Sequence, residues 1–215
     1  MRISTFKVLA LAAAMGLGLL AQTGKARAGT ETLTVAGGCF WCVESDFESV
    51  KGVGDVVTGF TGGTSAGPTY ESHGDHIEAA VIPFNNSTVN AKTLLDKFFR
   101  SIDPTDAGGQ FCDRGHAYST AVFVSSPQQR AAAEAAKAEA EAALGQKIVT
   151  PIYNAGAFFP VGAYHQDYYK SDERLAITSV GIGLKKSEAY KRYRKGCGRD
   201  ARVKQLWGGA AAFTH

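Results

Sequence analysis

The apolar positions of this chain change period several times, and each change predicts an element. Thr32 to Ala36 alternates around Leu33 and Val35, the two-residue period of a short strand. Gly37-Gly38 ends it. From Cys39 the period lengthens: Phe40, Val43, Phe47 and Val50 fall at helical spacing, with Glu44, Asp46 and Glu48 between them. Cys39 therefore sits at a strand-to-helix junction. Gly52 to Gly59 predicts a second strand, and Gly62 to Pro68 a loop rich in Gly, Ser and Thr. His76 to Phe84 alternates cleanly, with Ile77, Ala79 and Val81 on one face and Glu78, Ala80 and Ile82 on the other.

An amphipathic helix follows over Asn90 to Ile102, carrying Leu94, Leu95, Phe98 and Phe99, and Asp103-Pro104 stops it. Tyr118 to Val124 reads as a strand. Ser126 is placed to cap the next helix, Pro127 suits its first position, and Gln129 completes a capping box. The Ala-rich stretch to Leu144 has high helix propensity, and Gly145 is a natural terminator. Lys147 to Tyr153 predicts another strand. Beyond it the chain is irregular, with one short helix at Ser187 to Tyr193 and a flexible tail. This order lacks a regular β-α-β repeat. It predicts a single α+β domain with a mixed or antiparallel sheet and packed helices.

The first 28 residues follow a different logic. Arg2 and Lys7 precede an uncharged apolar stretch from Val8 to Ala21, and Ala26-Arg27-Ala28 offers small residues at a cleavage site. This is the pattern of a secretory signal cut before Gly29. The stretch is shorter than the ~20 residues of a bilayer span. Residues 29–215 are thus the expected mature domain, exported and most simply periplasmic, with no stable membrane association after cleavage. The whole chain has 23 Lys and Arg against 20 Asp and Glu, but Arg2, Lys7, Lys25 and Arg27 belong to the leader. The remainder is close to neutral, which argues against nucleic acid as a partner.

Four cysteines remain: Cys39, Cys42, Cys112 and Cys197. A domain of this size folds without disulfide staples, so thiols in an exported chain point to redox chemistry. At the helix start, backbone N–H groups and the macrodipole favour a thiolate at Cys39. Phe40 and Trp41 beside it suit a small apolar pocket, where sulfur–aromatic contacts welcome a thioether. Cys39-x-x-Cys42 also has the form of a thioredoxin-like redox pair, so a general thiol–disulfide oxidoreductase is the alternative reading. The spacing of Cys112, His116 and Cys197 is not a zinc pattern. Glu78 shares its face with apolar residues, and desolvation would keep it protonated, as an acid that releases oxygen must be.

The run Gly37-Gly38-Cys39-Phe40-Trp41-Cys42-Val43-Glu44 resembles the signature of A-type peptide methionine sulfoxide reductases. The likeness continues through Gly59 to Gly63, Pro68-Thr69-Tyr70, Gly74 to Ala79, Ile102 to Phe111, Asp113-Arg114-Gly115 with Tyr118, and His165 to Tyr169. It spans roughly Leu33 to Trp207. The resemblance implies a ferredoxin-like plait and reduction of the S epimer of methionine sulfoxide, free or in oxidised proteins, by a monomer without metal or organic cofactor. It implies Cys39 as nucleophile and Glu78 as acid. Tyr70 and Tyr118 would hydrogen-bond the sulfoxide oxygen, and Phe40, Trp41 and Asp113 would line the substrate site. A sulfenic acid on Cys39 would condense with a second thiol, Cys197 first and Cys42 as the alternative, and a thioredoxin-like dithiol would reset the enzyme. Three positions depart from the common pattern: Cys42, Cys112 and Ser119.

Overall fold

A computed structural model describes residues 29–214, so the leader read over residues 1–28 lies outside the described residues. Its centre is β1 (Thr30–Gly37), which pairs antiparallel with β3 (Ile77–Asn85) on one side and β6 (Thr120–Val124) on the other. β2 (Val57–Thr61) pairs antiparallel with β3, and β4 (Gly109–Gln110) and β5 (Asp113–Arg114) form a separate two-stranded ladder. Helices α1 (Phe40–Glu48) and α2 (Ala91–Phe99) make the two crossovers. The unit β1-α1-β2-β3-α2-β6, with spatial order β6-β1-β3-β2, is the expected ferredoxin-like plait.

Two further strands widen the sheet to six. β7 (Ile152–Asn154) adds parallel to β6, and β8 (Phe158–Pro160) adds antiparallel to β2. The sheet is therefore mixed, as expected, but β8 is a strand that periodicity does not reveal. Three residues are too few to display an alternation.

Alternating side chains supply two apolar faces. Leu33, Val35, Ala80, Ile82, Phe84, Val122 and Val124 turn toward the helices and pack with Val43, Phe47, Leu94, Leu95, Phe98 and Phe99. Ala36, Ile77, Ala79, Ala121 and Phe123 form a smaller cluster on the other face. Glu78 belongs to the helix-covered face, with Ala80 and Ile82, as the pattern requires.

Local chemistry sets the helix ends. The Asn90 side chain accepts from Thr93 N–H at 2.8 Å and starts α2. Ser126 accepts from Gln129 N–H at 3.1 Å and starts α3 (Pro127–Leu144), which Gly145 closes in the left-handed conformation. The expected capping box is modified. The Gln129 side chain accepts from Ser125, one residue before the cap, and donates to Thr32 O, tying α3 to β1.

The segment read as a flexible tail is instead built into the fold. α4 (Lys186–Gly196) and α5 (Arg199–Trp207) follow a short hairpin of β9 (Ile177–Thr178) and β10 (Gly181–Ile182). Val203 and Trp207 join the main core, and Arg194 pairs with Asp46 of α1 at 2.7 Å with both side chains buried. The glycines and basic residues of this stretch resemble a solvated tail, but the basic heads find internal partners. No helix among the described residues is long and apolar enough to cross a membrane.

Gly59 marks where β8 approaches β2 most closely. A methyl group there would lie 2.2 Å from Phe159 O and 2.8 Å from the Phe158 ring, whereas one at Gly156 would meet nothing. Gly59→Ala is expected to cost about 1–3 kcal/mol by overpacking against backbone that has no room to yield. Gly156→Ala should stay near wild type. Urea unfolding of the two variants checks this; equal midpoints would contradict it.

Candidate active site

β1 delivers the chain to Gly38, whose φ of +78° makes the sharp turn into α1. The turn packs closely on the protein itself: a Cβ on Gly38 would lie 2.5 Å from Gln110 Cβ. Gln110 is fully buried, accepting from Asp103 N–H and donating to the carbonyls of Asp103 and Gly109. From behind, the buried Arg199 of α5 donates to Gly37 O at 3.2 Å and Ser101 O at 3.0 Å.

Cys39 is the N-cap of α1, and Cys42 N–H donates to its carbonyl at 3.0 Å. Both sulfurs are covered, with Cys39 5% and Cys42 2% exposed. They hydrogen-bond to each other. An N-cap side chain leans over the third helical residue, so the two sulfurs can join without unwinding the helix.

Glu78 enters from β3. Its Oε2 accepts from Phe40 N–H at 2.9 Å, a buried contact that brings the carboxyl group to the residue after Cys39. Glu78 stands opposite Phe60 across the β2–β3 ladder, and Phe60 packs on Phe40 at 6.0 Å. Burial pushes the Glu78 carboxyl group up to about 8, with the Phe40 hydrogen bond opposing it. It is therefore mostly protonated at neutral pH.

The same desolvation alters the expectation for the nucleophile. Burial pushes the Cys39 thiol well up, helped by its hydrogen bond to Cys42 and by the charges of Cys42 and Glu78. The thiol it donates to, Cys42, is pushed down by that hydrogen bond, with Arg199 and Arg194 adding in the same direction. The helix start therefore does not by itself yield a Cys39 thiolate. The dipole contribution is small beside the loss of water.

Aromatic residues gather beside Cys39, which packs in one cluster with Trp41, Tyr168 and Tyr193. Trp41 stacks on Tyr168 at 4.0 Å, and Tyr70 stacks on His165 at 4.0 Å. Burial pushes the His165 imidazole down, leaving it neutral at pH 7. The Trp41 indole N–H and His165 Nδ1 have no protein partner among the described residues. Lys186 props the wall from outside, donating to Tyr164 O at 2.9 Å with its ammonium 3.7 Å from the Tyr164 ring centre. The cleft bounded by Trp41, Tyr70, His165 and Tyr193 has a volume of about 230 Å³. A larger hollow of about 580 Å³, lined by Ile77, Ala121, Phe123 and Tyr153, lies on the other sheet face.

Tyr70 rides on a loop tied at its base. The Asp75 carboxylate accepts from the amides and hydroxyls of Thr64 and Ser65, which holds its pKa far below the usual range. His76 accepts from Gly63 N–H and reaches Ser65 O at 2.8 Å. Burial raises the Tyr70 phenol, and raises Tyr118 to about 12, with Glu78 the next cause for both. Both hydroxyls stay protonated and able to donate.

Cys39, Cys42, Glu78, Tyr70, Tyr118, Asp113, Phe40 and Trp41 thus come together. Cys197 does not join them as a free thiol: it is bonded to Cys112, 85 residues away, while Cys39 and Cys42 are free. Sequence reasoning missed Tyr193. Its hydroxyl donates to Asp113 Oδ2 in a very short hydrogen bond, and the residue packs against the Cys39–Cys42 cluster. It also missed His165, Gln110 and Arg199 as the parts that shape the pocket. Two groups of ligand-type side chains converge among the described residues. In Cys112, Asp113 and Cys197 the sulfurs are spent on the disulfide. In Glu44, Glu48 and Asp167, Lys170 already holds Glu48 at 2.6 Å and Asp167 at 2.8 Å.

The family described as peptide methionine sulfoxide reductase matches residues 31–197. Peptide methionine sulfoxide reductase MsrA 2 of Rhizobium meliloti is 45% identical over 178 residues, covering 82% of this chain and 83% of that protein. A protein of the same name from Caulobacter vibrioides is 42% identical, covering 91% and 96%. Among solved structures, reduced Mxr1 from Saccharomyces cerevisiae aligns with a TM-score of 0.61 at 26% identity, covering 65% of this chain and 83% of that one. Methionine sulfoxide reductase A of Corynebacterium diphtheriae aligns with a TM-score of 0.60 at 25% identity, covering 74% and 82%. The motifs around Cys39, the plait that carries them and these likenesses agree, and the chain belongs to the peptide methionine sulfoxide reductase family.

Proposed function

We propose that this protein reduces the S epimer of methionine sulfoxide, free or in oxidised proteins, using Cys39 as nucleophile and Glu78 as acid. The observation that carries the reading is the 2.9 Å contact between Glu78 and the amide of the residue following Cys39. It sets a protonated carboxyl group beside a thiol within an aromatic hollow. Cys39 Sγ attacks the sulfoxide sulfur while Glu78 gives its proton to the departing oxygen. Glu78 recovers the thiol proton, and the Phe40 amide steadies the carboxylate in between. Tyr70 and Tyr118 hydrogen-bond the oxygen. Phe40 and Trp41 hold the methyl group, and Asp113 fixes Tyr193 against Cys39. The hydroxyl then passes from the substrate sulfur to Cys39 Sγ as the bond between the two sulfurs breaks, so that methionine leaves and Cys39 becomes a sulfenic acid.

The sulfenic acid condenses with Cys42 to a disulfide and water. Cys42 is preferred to Cys197 here because it is free, adjacent and already hydrogen-bonded to Cys39. The alternative, a general disulfide oxidoreductase, requires a protein disulfide to reach a sulfur of the pair, and both are buried. A thioredoxin-like dithiol is the reductant in this reading. The 28-residue leader supports export, with the mature chain beginning at Gly29; N-terminal sequencing of secreted or periplasmic material checks that assignment.

Cys39→Ser is expected to abolish sulfoxide reduction with an unchanged circular dichroism spectrum. Residual activity above about 1% would reject Cys39 as nucleophile. The rate should fall as pH rises through about 8, because Glu78 must carry its proton to act. Glu78→Gln should lose that limb and run about 10²-fold slower, the low end of general-acid effects, since an amide still donates. A variant retaining the wild-type pH profile would remove Glu78 from the acid role. Cys42→Ser should release one methionine per chain and stall with Cys39 oxidised. Unimpaired cycling by that variant would move resolution elsewhere.

A further inference from the structure

The hairpin of β9 and β10 is only half covered. Leu175, Val180 and Leu184 pack with the cluster of Cys39, Cys42 and Tyr168. Ile177 and Ile182 stand opposite each other across the two strands, so their side chains are neighbours, yet they are 78% and 79% exposed. No other large apolar side chain among the described residues is so open. The hairpin is nevertheless held in place. Arg192 donates to Val180 O at 3.3 Å, Arg174 to Gly183 O at 2.9 Å, and Thr178 Oγ1 to Gly181 O at 2.8 Å. A lone exposed apolar residue needs no explanation, but a cross-strand pair on a pinned platform marks a contact surface.

The pair lies at the mouth of the cleft that Trp41 and Tyr70 bound. Ile177 lines that cleft together with Trp41, Tyr70, Tyr164 and His165. Tyr70 and Tyr164 are themselves exposed, so apolar surface continues from the rim of the cleft onto the hairpin. From Leu175 to Leu184 the chain carries no charged residue. The cleft's volume of about 230 Å³ falls below the roughly 300–1,000 Å³ of sites that enclose a whole drug-sized ligand. It takes one side chain. When that side chain belongs to a polypeptide, its neighbours in sequence stay outside, against this rim.

We propose that the β9–β10 hairpin, through Ile177 and Ile182, docks the apolar residues that flank an oxidised methionine in a locally unfolded polypeptide. This rests on the sulfoxide-reducing reading above and names the form of substrate that the site favours. The chemistry of such a substrate supplies the match. Methionine is among the residues most often buried, and its sulfoxide is polar and disrupts a core. Oxidised methionines therefore reach the site within segments whose apolar neighbours have lost their own packing. Ile182 stands outside the lining of the cleft, so it meets those neighbours, whereas a free methionine sulfoxide held in the cleft leaves it untouched. The hairpin thus separates polypeptide from free amino acid by binding, without a part in the sulfur chemistry.

Paired peptide substrates test it, with dithiothreitol as the reductant. Each peptide carries a single methionine S-sulfoxide between lysine-rich ends; one has Leu and Val on either side of it, the other Ser and Gly. Wild-type protein is expected to favour the apolar peptide about tenfold in kcat/KM, through KM rather than kcat. Ile182→Thr keeps a β-branched residue in the strand and exchanges an ethyl group for a hydroxyl. It should cut that preference about fivefold and reduce free methionine S-sulfoxide within about twofold of the wild-type rate. Equal kcat/KM for the two peptides with wild-type protein overturns the docking surface whether or not the variant folds. A variant with an unchanged circular dichroism spectrum and the full preference also overturns it. So does a wild-type dimer that Ile182→Thr makes monomeric on sedimentation, because the patch is then covered by a second copy. Failure of wild-type protein to reduce any of the three sulfoxides overturns the sulfoxide-reducing reading itself.

Discussion

The buried hydrogen bond from the Phe40 amide to Glu78 joins the turn that presents Cys39 to the strand that carries the carboxyl group. Three features must be correct for it to form. β1 must end at a residue able to turn at Gly38, β3 must keep Glu78 on the helix-covered face, and the two strands must hold their register, Leu33 opposite Ile82. A slip of one residue in β3 would reverse its faces and send the carboxyl group away from α1. The core specifies against that slip, because the same shift would turn Ala80, Ile82 and Phe84 out of the main cluster. The packing of an ordinary apolar face is thereby what positions a proton donor.

Around this contact, the later chain acts as a brace. Arg199 reaches under the turn to Gly37 O, Gln110 fills the space that Gly38 leaves, and Lys186 backs the aromatic wall. Each is a buried polar group with several partners, and such groups specify geometry more than they add stability. The price of covering the site is paid in protonation: desolvation keeps Glu78 protonated, which suits its role, but it also raises Cys39. The neighbouring Cys42, facing two arginines, offers a place for negative charge when the pair ionises.

Much of this was legible in the sequence where the signal is local. The change of period at Cys39, the company Glu78 keeps with Ala80 and Ile82, and the Ser126 cap are all read within a few residues. The plait followed from the order of such elements together with the family motifs. What stayed hidden depends on contacts distant in sequence. Tyr193 lies in a helix so rich in Lys and Arg that its buried face is masked, and only folding brings it to Asp113, 80 residues earlier. The Cys112–Cys197 bond spans 85 residues, and four cysteines admit three pairings that spacing does not distinguish. The tail was misread for a related reason: Arg194 and Arg199 look solvent-seeking until Asp46, Gly37 O and Ser101 O are supplied as partners.

The covering of the inner sulfurs has a consequence for survival under oxidative stress. A sulfenic acid is vulnerable to a second equivalent of peroxide, which carries it to an irreversible sulfinic acid. In the proposed cycle, that second encounter at Cys39 competes with the neighbouring Cys42 thiol, behind a rim of Trp41, Tyr70 and His165. Closure to a disulfide is intramolecular and the peroxide must diffuse in. The seclusion that makes the thiol slow to ionise also guards it against inactivation by the oxidants whose damage it repairs.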